Sequence, residues 1–251
     1  MQHFSSLIKS LLLSCSLLLV WQATVVVFDL PHYMLPKPID VLDQLQSKTA
    51  LLLAHTQVTL LEILLGLCLG FLLGLLSALL LSLSSWLSSL LLPLLIVSQA
   101  IPVFAIAPLL VLWFGYGMAS KIAMTILIIY FPVTAACYDG LRNTPTTWLE
   151  LSKTMNATPL QILWRVRLPA ALPSLASGLR IAVTIAPIGA VIGEWVGSNQ
   201  GLGYLMLHAN ARMQVDLMFA ALFVLMFITL LFFFLTDKLL RYFLPWANQL
   251  R

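Results

Sequence analysis

The sequence predicts an all-α integral membrane protein with six transmembrane helices, and three observations carry that prediction. Hydrophobic residues make up 61% of the 251 residues and charged residues 9%, whereas a soluble domain carries roughly a quarter charged residues. The apolar residues gather into six stretches long enough to cross a bilayer, which takes about 20 residues as a helix. A polar interlude, residues 139–169, separates the fourth stretch from the fifth and is too long for a plain connection in so hydrophobic a chain.

The first stretch covers about 7–28. Lys9 followed by the apolar run 11–20 resembles a secretory signal peptide. The apolar character continues through Trp21 to Phe28 and no small-x-small cleavage site closes it, so a retained anchor is expected. Cys15, Cys68 and Cys137 all fall inside predicted spans, so they read as packing residues and define neither a disulfide framework nor a metal cluster.

The second stretch, about 54–83, carries Gly66, Gly70 and Gly74 at every fourth residue, a stripe along which helix backbones approach closely. His55, Thr59 and Glu62 continue that face toward the outer end, since steps of three and four stay on one side of a helix. Glu62 is the expensive member, because a carboxylate at the bilayer centre costs about 2.5–3.5 kcal/mol on insertion scales. It is either a residue of a translocation pathway or a carboxylate paired within the bundle or near the outer interface; the second is preferred.

The third stretch, about 92–114, contains Pro93, Pro102 and Pro108, and the fourth, about 118–138, contains Pro132. Proline removes a helical hydrogen bond and kinks the helix, which a membrane tolerates where neighbours or water satisfy the freed carbonyls. Such helices can line a pathway, with Gln99 a polar candidate; Pro102 is equally explained as a fixed kink. The fifth stretch, about 172–195, closes on a glycine-rich segment that includes Pro187, Gly189, Gly193 and Gly197. Glu194 and Trp195 are expected at or just inside the outer interface there. The sixth covers about 217–243.

Within the interlude, Thr144-Pro145 and Thr158-Pro159 each set a capping hydroxyl before a proline suited to a first helical turn. Asn156 lies between them and readily takes the left-handed conformation that ends a helix. The expected product is helix, tight turn, helix. Trp148, Leu149, Met155, Leu160, Ile162, Leu163, Trp164 and Val166 supply apolar contacts, and Lys153, Arg165 and Arg167 keep charge at the membrane surface. A plain amphipathic interfacial loop has the same periodicity.

Charge fixes the orientation. With both termini cytoplasmic, the inside carries Lys9, Arg142, Lys153, Arg165, Arg167, Arg180, Lys238, Arg241 and Arg251, and the outside Lys37, Lys48, Lys121 and Arg212. Nine against four places the interlude in the cytoplasm. The net charge of +4 then reflects topology and contact with anionic membrane lipid, and nothing in its distribution points to nucleic acid. The chain has no phosphate-binding glycine loop ending in Lys-Ser or Lys-Thr, so any ATP chemistry belongs to another chain.

The interlude places Glu150, Leu151 and Ser152 where a Glu-Ala-Ala motif would stand, Asn156 at a following Gly position, and Val166-Arg167-Leu168-Pro169 at a terminal Ile-x-Leu-Pro. In this spacing it resembles the Glu-Ala-Ala loop of permease subunits of binding-protein-dependent ABC importers, with departures at Leu151, Ser152 and Asn156. The resemblance covers 51–246 and includes Ile101-Pro102, Trp113-Phe114-Gly115, Phe131-Pro132, Tyr138-Asp139-Gly140, Gly178-Leu179-Arg180 and Gly201-Leu202-Gly203-Tyr204.

The resemblance implies a type I importer permease fold with a cytoplasmic coupling helix between spans four and five. It divides the chain into an N-terminal helix and outer loop (1–50), the transmembrane domain (51–246, coupling loop about 139–170) and a cytoplasmic tail (247–251). It assigns contact with the ATPase to Glu150, Leu151, Ser152, Asn156, Ala157, Val166, Leu168 and Pro169, and makes Glu62, Gln99, Pro102, Glu194, Trp195, His208 and Asn210 candidates for solute passage. The implied partners are two cytoplasmic ATPase subunits holding ATP and magnesium, an external solute-binding protein and a second permease copy in the inner membrane. The chain itself would be no enzyme and would bind no cofactor. The branch resembled carries sulfonates, nitrate and thiamine-related pyrimidines. Ala186-Pro187-Ile188-Gly189-Ala190 and Leu207-His208-Ala209-Asn210-Ala211-Arg212 are most similar to the pyrimidine-precursor permeases, with alkanesulfonate, taurine or nitrate as the alternative. An ATP-independent secondary transporter is a more distant one, and the inverted repeats it would usually show are not apparent.

Overall fold

The computed structural model describes residues 2–249, and throughout them the regular structure is helical. In chain order the helices are α1 (Gln2–Val27), α2 (Pro38–Ser47), α3 (Thr49–Leu83), α4 (Ser85–Ser98), α5 (Val103–Phe114) and α6 (Met118–Arg142). They continue with α7 (Thr146–Thr154), α8 (Pro159–Ile162), α9 (Leu168–Gly197), α10 (Leu202–Ala211) and α11 (Val215–Phe243). Arg251 and the side chain of Lys9, both counted in the charge balance, lie outside the described residues.

The core is a three-helix slab in which α6 packs most extensively on α9 and next on α3. The glycine stripe makes this possible. A Cβ on Gly70 would stand 2.6 Å from the Ile129 side chain, and one on Gly189 would stand 2.7 Å from the Thr125 Cα. Both helices therefore meet α6 at backbone distance, and dispersion contacts of this closeness drive helix association where lipid removes the hydrophobic difference. Ile63, Ile129, Val133, Cys137, Ala182, Ala186 and Ala190 fill the seam. Cys137 is the cysteine that packs inside; Cys15 and Cys68 face outward. The outward faces of α3 and α11, with Leu65, Leu69, Leu72, Phe227, Leu231 and Phe234, are apolar and exposed as lipid requires.

Four helices, α3, α6, the continuous Pro159–Gly197 rod and α11, are long and apolar enough to cross a bilayer unbroken. The third predicted span is not one helix. It is the pair α4 and α5, bent by 100° across Gln99–Pro102. Proline disfavours helical backbone in the residue before it, and Pro102 itself has ψ 117°. Pro93 and Pro108 sit inside α4 and α5 without breaking them. In α1 the apolar helix Cys15–Val27 is shorter than the unbroken spans. The expected outer loop contains a helix of its own, α2, which starts on Pro38 and packs on α11.

Candidate functional site

Two constellations stand at opposite ends of the α9 rod. At the first, α7 ends in a complete left-handed cap. Asn156 has φ 56°, its N–H donates to the Lys153 carbonyl (2.9 Å) and the Ala157 N–H donates to the Ser152 carbonyl (3.1 Å). This is the pairing that satisfies orphan carbonyls at a helix end. Thr158 then caps α8: its Oγ1 accepts from Gln161 N (3.3 Å) while Gln161 Oε1 accepts from Thr158 N (2.8 Å). Such a cap stabilises by about 1 kcal/mol.

Thr144 behaves differently from expectation. Its hydroxyl donates back to the Leu141 carbonyl (3.0 Å), finishing α6, and Pro145 takes the position before α7. The second short helix also does not stop. After α8 the chain widens into a π-helical turn, Leu163–Arg167, and runs straight into α9. Pro169, lacking an N–H, sits in the first turn of α9, where the missing donor is least needed.

Ile162 and Leu163 are buried beneath the loop, and the Arg167 guanidinium reaches the Ser82 carbonyl at the end of α3 (3.5 Å). Above them Trp148, Leu151, Met155, Leu160 and Trp164 are all at least half exposed. Glu150 is exposed, Ser152 donates to the Trp148 carbonyl (2.7 Å), Ala157, Val166 and Leu168 are half-buried, and Pro169 is exposed. The result is a rigid, capped knob with an uncovered apolar face.

At the other end Glu194 is buried and organises the start of α10. Its Oε2 accepts from the Gly203 and Tyr204 N–H groups, and its Oε1 accepts from Thr59 Oγ1 (2.6 Å). Thr59 Oγ1 accepts in turn from Leu202 N (2.8 Å), and His55 Nδ1 accepts from Gly201 N (3.0 Å). A helix N-terminus offers unpaired donors and a positive dipole end, so a buried carboxylate is well held there. Gly201, at φ 113°, turns the chain so tightly over the Glu194 carboxylate that no Cβ fits.

The Glu62 carboxyl lies beside that of Glu194, fully buried, with Lys121 Nζ 2.9 Å from its Oε1. This is an ion pair without hydrogen-bond alignment, since neither Glu62 oxygen has a hydrogen-bond partner. Glu62 is thus paired within the bundle. Lys121, counted from sequence among the outside charges at the start of the fourth span, is 5% exposed in the first turn of α6 and is the cation of this network. Sequence reasoning missed that role because its partner, Glu62, lies on another helix far away in sequence.

Beside the network lies a cavity of about 480 Å³ between α2, α3, α10 and α11. On its wall Tyr204 meets His208 in a tilted contact (ring centroids 4.1 Å apart) and stacks on His55 (6.0 Å), Lys48 and Arg212 add cationic groups, and Gln44 donates to Asp216 (2.6 Å). The structure brings Glu62 and Glu194 together and sets His208 in the adjoining cavity. Gln99 and Pro102 stand at the α4–α5 break, where Gln99 donates to Ser98 (3.4 Å), and belong to neither. Trp195 and Asn210 point outward from α9 and α10.

Helical spans around a close-packed core, a rigid external knob and a polar network at the far end are the architecture of a membrane transport subunit. Residues 70–249 match the family model described as binding-protein-dependent transport system inner membrane component. The chain belongs to that family and is the permease of a binding-protein-dependent ABC importer, whose ATPase is a separate subunit. A probable ABC transporter permease of Haemophilus influenzae is 67% identical, covering 95% of this chain and 97% of that one. The formylaminopyrimidine transport permease ThiX of Halalkalibacterium halodurans is 39% identical over 93% of each chain. The riboflavin transport permease RibX of Chloroflexus aurantiacus is 40% identical over 92% of this chain and 87% of that one. Among solved structures, the inward-facing MetNI methionine transporter shares the fold, with a TM-score of 0.70 at 23% identity, covering 78% of this chain and 97% of that one.

Proposed function

We propose that this permease imports a small planar nitrogen heterocycle of the thiamine-precursor pyrimidine kind. The observation that carries this is the likeness, at about two-fifths identity and near full length, to permeases named for formylaminopyrimidine and riboflavin, both heteroaromatic. The cavity chemistry agrees: Tyr204 and His208 offer stacking faces, and Lys48, Arg212, Gln44 and Asp216 offer donors and acceptors to ring substituents. Glu194 and Glu62 hold the wall of that cavity in place, with Gln99, Pro102, Trp195 and Asn210 remaining candidates further along the passage.

In this reading two copies form the pore and two ATPase subunits, with ATP and magnesium bound to them, grip the α7–α8 knobs. An external binding protein delivers the solute. Exposed Trp148, Leu151, Met155 and Trp164 would seat in the ATPase, and Glu150, Ser152, Asn156 and Ala157 set the shape of the contact. The knob faces the cytoplasm, as do both termini. With Lys121 taken out of the outside count into the buried pair, the balance of Lys and Arg sharpens to nine inside against three outside.

The test is uptake of labelled aminopyrimidine into vesicles containing the chain with its ATPase and binding protein, with and without ATP. ATP-dependent uptake that Glu150→Lys abolishes, with the chain still inserted, supports the assignment. Uptake of an alkanesulfonate or taurine in place of the pyrimidine refutes the substrate and keeps the permease.

A further inference from the structure

At the knob end of the bundle, away from both constellations, α9 and α11 enclose a second cavity of about 470 Å³. Its floor is a charge triad. Asp237 accepts from Arg180 Nε through one oxygen and from Arg241 Nε through the other, each at 2.8 Å. One carboxylate thus meets two guanidinium groups, leaving one net positive charge. Both arginines use only Nε, and among the described residues no acceptor takes hydrogen bonds from their four terminal nitrogens. Ser174 and Ser177 line the same space.

Depth identifies what such a cavity meets. From Val215, about 20 residues of α11 cross the hydrocarbon, which brings Asp237 and Arg241 to the headgroup boundary at the far side. Exposed Tyr242 and Trp246 follow immediately, in the manner of an interfacial aromatic belt. Exposed Leu230 and Phe234 lie seven and three positions before Asp237, on the cavity's side of α11, and face lipid.

We infer that this cavity is a binding site for an anionic phospholipid, with the headgroup phosphate between the terminal guanidinium nitrogens of Arg180 and Arg241 and its acyl chains along α11. Planar guanidinium groups match phosphate oxygens in paired hydrogen bonds. Basic pockets between membrane helices are suited to acidic headgroups. The site does not depend on the transported solute or on the coupling role of the knob.

The experiment is native mass spectrometry of the full-length chain, titrated with phosphatidylglycerol and, separately, with phosphatidylcholine. Wild type should retain phosphatidylglycerol about fivefold better, as expected for one net positive charge near a membrane surface. Arg180→Gln with Arg241→Gln should erase that preference, whereas Lys238→Gln, on the same helix but outside the cavity, should keep it. If the double variant does not fold, Arg241→Gln alone, whose side chain is 67% exposed, should reduce the preference. A preference unchanged in the arginine variants overturns the site, as does an equal loss in Lys238→Gln, which would mean general surface charge. Displacement of bound phosphatidylglycerol by millimolar inorganic phosphate would assign the cavity to free phosphate and overturn the lipid.

Discussion

Replacing Lys121 by Met isolates the energetics of the buried network. The ammonium is 2.9 Å from Glu62 Oε1, with the Lys side chain 6% and the Glu side chain 0% exposed. Met keeps most of the volume and removes the charge, so the carboxylates of Glu62 and Glu194 are left together without a cation. Breaking a buried pair from one side destabilises by about 3–5 kcal/mol, which lowers the folded-to-unfolded ratio by roughly two to four orders of magnitude. Adding Glu62→Leu removes the stranded charge, and replacing a whole buried pair by apolar groups is often close to neutral. The assay is a double-mutant cycle on the purified chain in mixed micelles, unfolded with increasing sodium dodecyl sulfate and followed by circular dichroism. The expected pattern is a large loss in Lys121→Met that Glu62→Leu largely restores. A single mutant within about 1 kcal/mol of wild type, or a double mutant that loses the sum of the two singles, refutes the network as described.

Three further outcomes are expected. Thr59→Val leaves the Leu202 N–H and one Glu194 oxygen without their buried partner and should destabilise by about 1–3 kcal/mol per group, read as faster hydrogen exchange at the start of α10. Gly70→Val drives a side chain into Ile129 and should destabilise by about 1–3 kcal/mol in the same micelle unfolding, with Gly70→Ala between it and wild type. Asn156→Val forces a β-branched residue to positive φ at a cost of about 1–2 kcal/mol. It should lower ATP-driven uptake at unchanged membrane level, while Asn156→Gly stays near wild type.

What the sequence disclosed follows the range of each interaction. The glycine stripe, the extension of its face through Thr59 and Glu62, the Thr158 cap and the Asn156 turn depend on neighbours within one or two helical turns, and each appears as read. The α4–α5 break was half legible: Ile101-Pro102 marks the place, but no local pattern gives the 100° angle. The burial of Lys121 at the outer end of the fourth span was missed because its partner lies 59 positions earlier, on another helix. Asp237 to Arg241 is a four-residue spacing that a search for helical ion pairs would find. Arg180 joins them across 57 positions, and no pattern within one sequence announces that.

The unbroken run from Pro159 to Gly197 has a mechanical meaning. It holds 39 residues, a rod about 58 Å long at 1.5 Å per residue. Its two ends carry the knob and Glu194. A stiff beam converts angle into distance, so a tilt of about 5° at one end displaces the other by about 5 Å over that length. Its compliance is concentrated at the π turn and at Pro173 and Pro187, where the hydrogen-bond ladder is interrupted. On the proposed coupling role, a movement of the knob would reach the Glu194 end through this one continuous rod, with those three points setting how much of the stroke arrives.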